Sequence, residues 1–588
     1  MNKRAMGFVA LGAAATLLLS ACGGGDGGDG DGGSGAGGVF DQASTEVVNA
    51  SDATGGTLRY AISANMESTD PGNTYYGYVW NFSRYYARTL LTFSPVPGQA
   101  SSELLPDLAE DMPEVSDDGT EWTIKLKQGL KYEDGSEIVA EDIKYAIARS
   151  NFGPQALPNG PKYFQQLLDA DDYEGPYGGG DPLAGFDAIE TPDDYTLVFK
   201  LKAPFADFPY ILSQTQTAPV PAEADTGEQY QGQVVSSGPY KFEGSYTPGD
   251  GLVLVRNDQW DPESDPTREA LPDRVTVEEG VEQNEIDQRL VNGELDVDLA
   301  GTGLGPAMKG DLLADEEARA NIDNPVTGAH FYVAINTKVE PLDDVACRQA
   351  IQYAASREGI QRAYGGEFGG EIATQVLPPS IPGANPELDP YEAASGTGNV
   401  EMAQEKLEEC GEEDGFTVNI GVRSDRPAEV AAVESIQESL AAANITAEIK
   451  SFPSDTFTNT QAGSPDFVAD NELGLNYYGW MSDWPSGYGY MSSILDGDSI
   501  KEAGNSNISE LDDPEINQLF DDVTQVEDPE EQAAIYSQID ELTMESATIL
   551  PGVFQKSVLY RPENLTNVYF NPSYHMYDYM ALGTTNNE

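Results

Sequence analysis

The sequence predicts an α/β protein built from two lobes or three subdomains. Two observations predict this class: strand patterns and helix patterns are mixed along the whole chain, and 588 residues are far more than one hydrophobic core accommodates. The body of the protein is expected to start near residue 55.

Alternating apolar residues predict the strands. Side chains of one face of a strand recur at every second position, so an apolar residue at every second position indicates a half-buried strand. Segments of this kind, or short apolar runs of strand length, occupy residues 58–62, 122–127, 197–201, 252–255 and 331–336.

Start signals predict several helices. A helix is expected from about Ala140, because apolar residues follow it at a spacing of four. Asp513-Pro514 and Asp528-Pro529 each place a capping carboxylate directly before a proline that suits the first helical turn.

The N-terminus predicts export. Residues 1–21 contain two basic residues and then an apolar run, 5–19, that is too short to span a bilayer but suits a signal peptide. The run ends in Leu19-Ser20-Ala21-Cys22, which resembles a bacterial lipobox, so we expect Cys22 to be lipidated and to become the first mature residue. A plain signal peptide with an incidental cysteine is the alternative.

A tether follows the cysteine. Residues 23–38 are almost wholly Gly, Asp and Ser, and such a segment buries too little apolar surface to offset its own ordering entropy. We assign residues 22–54 to the lipidated cysteine and its tether. The expected location is therefore the outer face of the cytoplasmic membrane, held by a lipid anchor.

Charge and histidine content exclude several functions. With 100 acidic and 31 basic residues the formal net charge is −69, and it is spread along the chain, so nucleic acid is excluded as a partner by repulsion. The two histidines, His330 and His575, have no metal-like spacing, which argues against metal sites and histidine-based triads. We expect no cofactor and a monomeric protein.

Beyond Cys22, the cysteines are Cys347 and Cys410. Two remaining cysteines of an exported protein most simply pair with each other, and these two lie at the beginning of one predicted helix and the end of another. We predict a disulfide between them, with two buried free thiols as the alternative.

An aromatic stretch, residues 477–490, is the candidate binding segment. It contains two Trp and four Tyr, and its one charged residue is Asp483. Aromatic walls around one carboxylate suit a ligand with a cationic group, so the composition predicts a ligand-facing loop. A packed aromatic loop in which Asp483 caps a turn is an equally good interpretation of the residue types alone.

Several motifs in the same order resemble family 5 solute-binding proteins, the dipeptide, oligopeptide and nickel type that serves ABC importers. The matching segments lie at residues 105–110, 122–135, 140–145, 237–240, 257–261, 292–296, 336–337, 348–351 and 479–485. The last of these is similar to the Gly-Trp-x-x-Asp segment of the family.

The resemblance implies a periplasmic-binding-protein-like fold of type II, with two lobes and an extra subdomain (cluster C). By this analogy lobe I comprises residues 55–86, 205–324 and 551–588. The extra subdomain comprises residues 87–204, and lobe II comprises residues 325–550. Hinged lobes of this kind close over a solute and exclude water from it.

The resemblance also implies a binding site. Asp483 would meet the α-amino group of a peptide, the main chain at Gly479 and Met481 would pair with it, and Trp480 would form a wall. Four further aromatic residues complete the predicted ligand-binding set, the first two of them on lobe I: Tyr75, Tyr76, Trp484 and Tyr488.

The implied function is that of a receptor, without catalysis, that delivers oligopeptides to an ABC permease. Oligosaccharides and metal chelates are alternative solutes, because the aromatic side chains would serve a sugar equally well. An exported hydrolase with paired carboxylates is the alternative of another class, although Asp483 has no acidic neighbour in the aromatic stretch.

Arg423 and Arg426 are candidates for the counter-charge of a peptide carboxylate, or else solvated surface charges.

Overall fold

The structure, a computed structural model, describes residues 40–66, 68–153, 155–265 and 267–586. The predicted signal peptide, Cys22 and residues 23–38 lie outside these ranges. Inside them, none of the helices combines the length and the apolar character needed to cross a bilayer.

Strands are distributed along the whole described chain. In chain order they are β1 (Thr57–Ala61), β2 (Leu91–Phe93), β3 (Leu104–Pro106), β4 (Glu114–Val115), β5 (Glu121–Lys125), β6 (Ile189–Asp193), β7 (Thr196–Lys200), β8 (Tyr240–Phe242), β9 (Leu252–Arg256), β10 (Arg274–Glu278), β11 (Val297–Asp298), β12 (Ile322–Asp323), β13 (Val326–Ile335), β14 (Gly370–Ile372), β15 (Thr417–Arg423), β16 (Thr446–Phe452), β17 (Leu475–Trp480), β18 (Ile549–Lys556), β19 (Leu559–Tyr560), β20 (Leu565–Thr566), β21 (Phe570–Asn571), β22 (Met576–Tyr577) and β23 (Gly583–Thr584).

Helices lie between these strands. In chain order they are α1 (Gly77–Ser83), α2 (Ala140–Asn151), α3 (Tyr163–Leu167), α4 (Phe208–Leu212), α5 (Gln283–Val291), α6 (Pro306–Ala314), α7 (Val345–Ala354), α8 (Arg357–Ala363), α9 (Val400–Glu409), α10 (Pro427–Ala442), α11 (Ser454–Thr456), α12 (Pro465–Asp470), α13 (Gly487–Leu495), α14 (Pro514–Val523) and α15 (Pro529–Ser546).

The strand and helix predictions are confirmed. Strands β1, β5, β7, β9 and β13 occupy the predicted segments, and α2 begins at Ala140 as expected. Helices α14 and α15 are capped as predicted: Asp513 Oδ1 accepts a hydrogen bond from the Glu515 amide at 2.8 Å, and Asp528 Oδ1 accepts one from the Glu530 amide at 2.9 Å.

Lobe I is built on a five-stranded sheet in the order β11-β1-β10-β9-β8. Strand β1 runs parallel to β10 and β11, whereas β9 is antiparallel to both of its neighbours. The buried core of this sheet also takes in side chains from α1 and from the C-terminal segment between Leu559 and Leu582. Distant parts of the chain therefore share one core.

The extra subdomain is built on an antiparallel sheet in the order β4-β5-β7-β6, against which α2 packs. Its core continues past the predicted boundary at residue 204, since Phe205, Phe208 and Ile211 belong to it. Trp484 of the aromatic stretch belongs to the same core. The extra subdomain is thus in contact with the segment predicted to bind ligand.

Lobe II is built on a six-stranded sheet in the order β14-β18-β13-β17-β15-β16. Its two faces are both covered, because alternate residues of β13 enter different cores: Val333 and Ile335 on one face, Tyr332 and Ala334 on the other. Strand β18 remains in this sheet up to Lys556, so lobe II extends beyond the predicted boundary at 550.

The two lobes are connected by adjacent strands. Strand β12 pairs antiparallel with β19 at the edge of lobe I, and the strands that continue them, β13 and β18, pair antiparallel in lobe II. The chain therefore crosses between the lobes twice, side by side. This arrangement suits a hinge, because few backbone torsions need to change when the lobes move.

Part of the predicted tether is not a tether. Ala43 is buried and its amide donates to Asp323 Oδ1 at 2.9 Å, while Val48 forms a β-bridge with Val568. Assigning residues 22–54 to a tether is therefore wrong from about Asp41 onward. Composition does not indicate this packing, because it depends on a few small apolar residues among polar ones, such as Ala43 and Val48.

The predicted disulfide is present in the structure. Cys347 near the start of α7 is bonded to Cys410, the residue that follows α9, and their Cα atoms are 5.5 Å apart. The bond links two helices of lobe II that also pack against each other. It closes a loop over a sequence separation of 63 residues.

Candidate functional site

Asp483 lies where lobe I, the extra subdomain and lobe II meet. It belongs to the short loop between β17 and α13 in lobe II. Its Oδ1 accepts a hydrogen bond of 2.6 Å from the hydroxyl of Tyr75 in lobe I, and its Oδ2 accepts one from the hydroxyl of Tyr163 in α3 of the extra subdomain. One carboxylate thus connects all three parts of the molecule.

The charge of Asp483 is poorly compensated. Burial raises the pKa of this carboxyl above its ordinary value, and the hydrogen bonds from Tyr163 and Tyr75 oppose that rise only in part. Within the described ranges its side-chain donors are these two phenols, and no lysine or arginine forms an ion pair with it. A half-buried carboxylate held by neutral phenols is a favourable position for a cationic group.

The loop around Asp483 is closed by a pair of hydrogen bonds at its ends. The indole Nε1 of Trp480 donates to the Tyr490 carbonyl at 2.7 Å, and the Tyr490 hydroxyl donates to the Trp480 carbonyl at 3.4 Å. These bonds hold the last residue of β17 against the first turn of α13. The position of Asp483 is therefore set by both elements.

The aromatic stretch is not a ligand-facing loop over its full length. Tyr477 and Tyr478 are fully or almost fully buried on opposite faces of β17, and Tyr490 is buried in α13. The prediction of a loop is wrong for these residues because a strand covered on both faces can be aromatic as well as aliphatic. Only residues 481–486 connect strand and helix.

Gly479 is required by the packing of the sheet. It lies directly opposite Phe331 in the pairing of β17 with β13, and a Cβ added to it would lie 2.5 Å from Phe331 Cε1. The Phe331 ring therefore occupies the space that a side chain would fill. The packing requires Gly479 whether or not a ligand binds, and no local pattern of the sequence predicts this requirement.

One edge of β17 is available for pairing. On one side β17 pairs with β13 along its whole length, but on the other it pairs with β15 only at Leu475 and Asn476. From Tyr477 to Trp480, no strand of the described residues is paired with that edge. Such an edge can accept an extended chain as an added strand.

A second carboxylate joins the lobes at Asp207. This buried residue, directly before α4, accepts a hydrogen bond of 2.7 Å from Nε1 of Trp484 and another from the hydroxyl of Ser486. Burial raises the pKa of the Asp207 carboxyl, against the effect of these two donors. Ser486 is also the N-cap of α13, since its Oγ accepts from the Gly489 amide at 2.9 Å.

The tyrosines of lobe I are held by a buried ion pair. Arg149 of α2 donates to both oxygens of Asp70, at 3.0 and 2.9 Å, and also to Asp225 at 2.8 Å. Asp70 begins the segment that carries Tyr75 and Tyr76. The loop is thereby fixed to the extra subdomain before it reaches Asp483.

Three predicted site residues present large apolar surfaces. Tyr75, Tyr76 and Met481 are 49%, 54% and 45% exposed, and they make up half of the large hydrophobic residues that are exposed in the described chain. Tyr76 stacks on Tyr78 with ring centroids 5.5 Å apart. Exposed apolar side chains grouped at a cleft are typical of binding surfaces.

An aromatic and acidic cavity adjoins Asp483. Tyr488 packs edge-on against Phe205 at 5.4 Å and lines this cavity together with Tyr163 and Trp484. Three carboxylates also line the cavity: Asp483, Asp496 and Asp498. None of the lining residues is a lysine or an arginine. The cavity is therefore suited to cationic and apolar groups.

The two arginines considered for a carboxylate are placed differently from each other. Arg423, at the end of β15, forms a two-point ion pair with the buried Glu429, with Nε 2.8 Å from Oε2. Arg426 is exposed and its Nε lies 3.5 Å from Ser454 Oγ. Neither contacts the residues around Asp483 in the structure.

Sequence reasoning missed Tyr163 and Asp207. Both contact the loop after β17 from other subdomains, more than 270 positions away in the sequence. A tyrosine before Phe-Gln-Gln and an aspartate before Phe-Pro have no local feature that indicates such contacts. No group of three or more His, Cys, Asp or Glu in the described part of the chain is arranged to hold a metal ion.

Comparison with known proteins identifies the relatives of this chain. The model of the bacterial extracellular solute-binding proteins, family 5 Middle, matches residues 103–502. The glutathione-binding protein GsiB of Salmonella paratyphi A is 24% identical over 473 residues, covering 78% of this chain and 82% of that protein. Heme-binding protein A of Haemophilus influenzae is 25% identical over 577 residues, covering 92% of each.

A solved structure is also similar. Clavulanic acid biosynthesis oligopeptide binding protein 2 is 38% identical, with a TM-score of 0.87, and the alignment covers 93% of this chain and 98% of that one. The DppA periplasmic binding protein of Helicobacter pylori, solved with the peptide STSA, shares the fold at 21% identity and a TM-score of 0.63.

Proposed function

This chain belongs to the bacterial extracellular solute-binding proteins of family 5, and we propose that it is the oligopeptide receptor of an ABC importer. In this proposal the protein captures a peptide between lobe I and lobe II and presents it to a membrane permease. The proposed receptor is monomeric, performs no catalysis, and is held at the outer face of the cytoplasmic membrane through a lipid on Cys22.

The observation that carries the proposal is the position of Asp483. Its carboxylate is half-buried at the junction of the three subdomains and has neutral phenols as donors. An α-ammonium group would supply the missing positive charge and could donate to the remaining lone pairs. The adjacent cavity, with three carboxylates in its lining, suits the same group.

The free edge of β17 supports a peptide over other solutes. A peptide laid along Gly479 and Met481 would form main-chain hydrogen bonds that do not depend on its side chains. Tyr75, Tyr76, Trp480, Trp484 and Tyr488 would then pack around it. The relatives and similar structures named above include proteins titled as oligopeptide-binding, glutathione-binding and heme-binding, so the solute class has to be measured.

Closure of the lobes would be part of the function. Asp483 of lobe II contacts lobe I and the extra subdomain, while Trp484 and Ser486 of lobe II contact Asp207. Because these contacts cross from one part of the molecule to another, opening of the cleft would break them. Peptide binding would favour the closed form, and the permease would recognise that form.

A ligand screen tests the proposal. The mature chain is mixed separately with tri-alanine, glutathione, haem and a set of oligosaccharides, and the melting temperature is recorded. A rise of several degrees with free peptides is expected, because a ligand at 100 times its Kd stabilises the folded state by about 2.7 kcal/mol. A shift with oligosaccharides or haem and none with peptides would reject the peptide assignment.

A further inference from the structure

The first described residues of the chain, 40–48, contact the place where the chain crosses between the lobes. The backbone amide of Asp41 donates to the Ile322 carbonyl in β12 at 2.9 Å. The amide of Asn324 donates to Asp41 Oδ1 at 2.7 Å. Because Asn324 lies between β12 of lobe I and β13 of lobe II, the segment is hydrogen-bonded to the hinge itself.

The backbone conformation of Asp41 fits this contact. Its φ is 61°, in the left-handed region that is unfavourable for most L-residues and that aspartate adopts more readily than most. Its carboxylate accepts a hydrogen bond from the Ser44 hydroxyl as well as from the Asn324 amide. The turn at Asp41 therefore holds one carboxylate against the hinge.

Phe40 contacts both lobes. Its ring meets the ring of Phe368 edge-on with centroids 6.0 Å apart, and Phe368 lies two residues before β14 of lobe II. The guanidinium of Arg319, in lobe I, lies 4.9 Å from the centre of the same Phe40 ring. One side chain of the segment is thus placed between a residue of lobe I and a residue of lobe II.

A small apolar cluster surrounds these contacts. Ile322 and Val558 are buried in it, and Phe40 and Phe368 pack against it. Ile322 belongs to β12, before the first crossing, and Val558 lies in the second crossing, between β18 and β19. Both crossings and the N-terminal segment therefore share one packed unit, which the burial of apolar surface stabilises.

We propose that residues 40–48 are a strap that holds the hinge in the arrangement seen in the structure and so favours closure of the cleft from outside it. Rotation of lobe II about the crossings would change the separation of Phe368 from Arg319, and the Phe40 ring could not keep both contacts. In the same arrangement the cleft contacts of Asp483 are formed. The strap and the cleft contacts therefore favour the same form of the protein, whichever solute binds.

The distance between two spin labels, measured without any solute, tests the strap. The labels are attached at Gln165→Cys of the extra subdomain and Glu502→Cys of lobe II, both exposed positions, in the mature chain with Cys22→Ser. The two cysteines of the disulfide take no label. The buried pair of Arg149 and Asp70 ties the extra subdomain to lobe I, so the measured distance follows the movement of lobe II relative to lobe I.

Variants of the aromatic pair are compared by this distance. Phe40→Ala should raise the ratio of long to short distances roughly 2- to 12-fold, the range for the loss of one aromatic pair. Phe368→Ala should have an effect of similar size, and the double variant should add little to either single variant. Val47→Ala changes an exposed apolar residue of the same segment and should leave the ratio unchanged.

Asp41 gives a second test that leaves the rings in place. Asp41→Ala removes the acceptor of the Asn324 amide and places alanine in the left-handed region, so the ratio should shift in the same direction. Asp41→Asn keeps an acceptor oxygen and a residue that tolerates this region, so it should match the parent. The melting temperature of each variant is recorded alongside.

A purely structural role gives a different result. If Phe40→Ala and Asp41→Ala lower the melting temperature but keep the label distances of the parent, the segment only stabilises the fold and the strap is overturned. A shift toward shorter distances would also overturn it, because the segment would then oppose closure. The peptide-receptor function fails separately, in the ligand screen, since no solute enters this experiment.

Discussion

The hydroxyl of Tyr75 donates a 2.6 Å hydrogen bond to the carboxylate of Asp483, across 408 positions of the sequence. The bond joins the exposed tyrosine loop of lobe I to the loop after β17 in lobe II. Because the same carboxylate also accepts from Tyr163, closure of the cleft places it among neutral donors. A cationic ligand group at this position completes the arrangement.

Replacing Asp483 is expected to weaken peptide binding. Asp483→Asn keeps the size of the side chain and removes its charge, so a buried ammonium group would lose its partner at a cost of roughly 2–5 kcal/mol. Calorimetry with tri-alanine measures the loss. Asp466→Asn, which alters an exposed carboxylate of α12 outside this cavity, is the matched control and should leave the affinity unchanged.

The pH dependence of binding gives a second test of the same carboxylate. Binding of an ammonium group needs the ionised form of Asp483, whose pKa is raised by burial in the closed protein. Affinity should therefore be greatest above that pKa and fall as the pH is lowered through it. In Asp483→Asn the fall should disappear. An equal pH dependence in both proteins would assign the titration to another group.

The secondary structure could be predicted from local patterns. The alternation in β5 and β7 and the capping aspartates of α14 and α15 are produced by neighbours in the chain, and the structure has these elements where the patterns place them. The disulfide was predictable for a different reason, since the chain after Cys22 offers one possible pair.

The site could be predicted only in part. Asp483 was identified because its segment is similar to the Gly-Trp-x-x-Asp segment of family 5. Its donors Tyr75 and Tyr163 come from two other subdomains, and no local pattern of the sequence brings the three residues together. Composition also failed to separate the buried strand residues Tyr477 and Tyr478 from exposed ones such as Tyr76. Burial on the two faces of a strand depends on which elements cover it.

Gly479→Ala should destabilise the protein. The added methyl group would lie 2.5 Å from Phe331 Cε1, so the ring or the strand must move, and overpacking of this kind costs about 1–3 kcal/mol. Urea denaturation measures the change. Gly178→Ala is the control, because no atom lies within 4 Å of the added carbon there. If Gly479→Ala is as stable as the parent, Phe331 does not occupy this space.

The buried Asp540 should make stability depend on pH. Burial raises the pKa of its carboxyl to about 6, although the amides of Val376 and Leu377 donate to it. The folded protein thus keeps a proton that the unfolded chain has lost between about pH 4 and pH 6. The stabilisation is complete below this range and is lost as the pH rises through 6.

Asp540→Asn tests that assignment. The difference in unfolding free energy between parent and variant should change by about 2 kcal/mol between pH 4 and pH 7, in favour of the parent at the lower pH. Thermal unfolding at a series of pH values measures this difference. Asp521→Asn, at an exposed position, is the control, and its difference in unfolding free energy from the parent should not change with pH. Parallel curves for parent and Asp540→Asn would contradict the buried titration.

Two tryptophans of the same segment should respond differently to the same substitution. Trp484 Nε1 donates to Asp207 at 2.7 Å across the cleft, whereas Trp480 Nε1 donates at 2.7 Å to the Tyr490 carbonyl within lobe II. Trp484→Phe therefore removes a bond that lobe II makes across the cleft, and it leaves Asp207 short of a donor. Closure should weaken by roughly 1.5–3 kcal/mol, so the mean radius of gyration in small-angle scattering at a fixed tri-alanine concentration should increase.

Trp480→Phe loses a comparable bond inside one lobe, and it should lower unfolding stability by about 1 kcal/mol without opening the cleft of the saturated protein. Equal scattering by parent and Trp484→Phe would show that the bond to Asp207 does not contribute to closure.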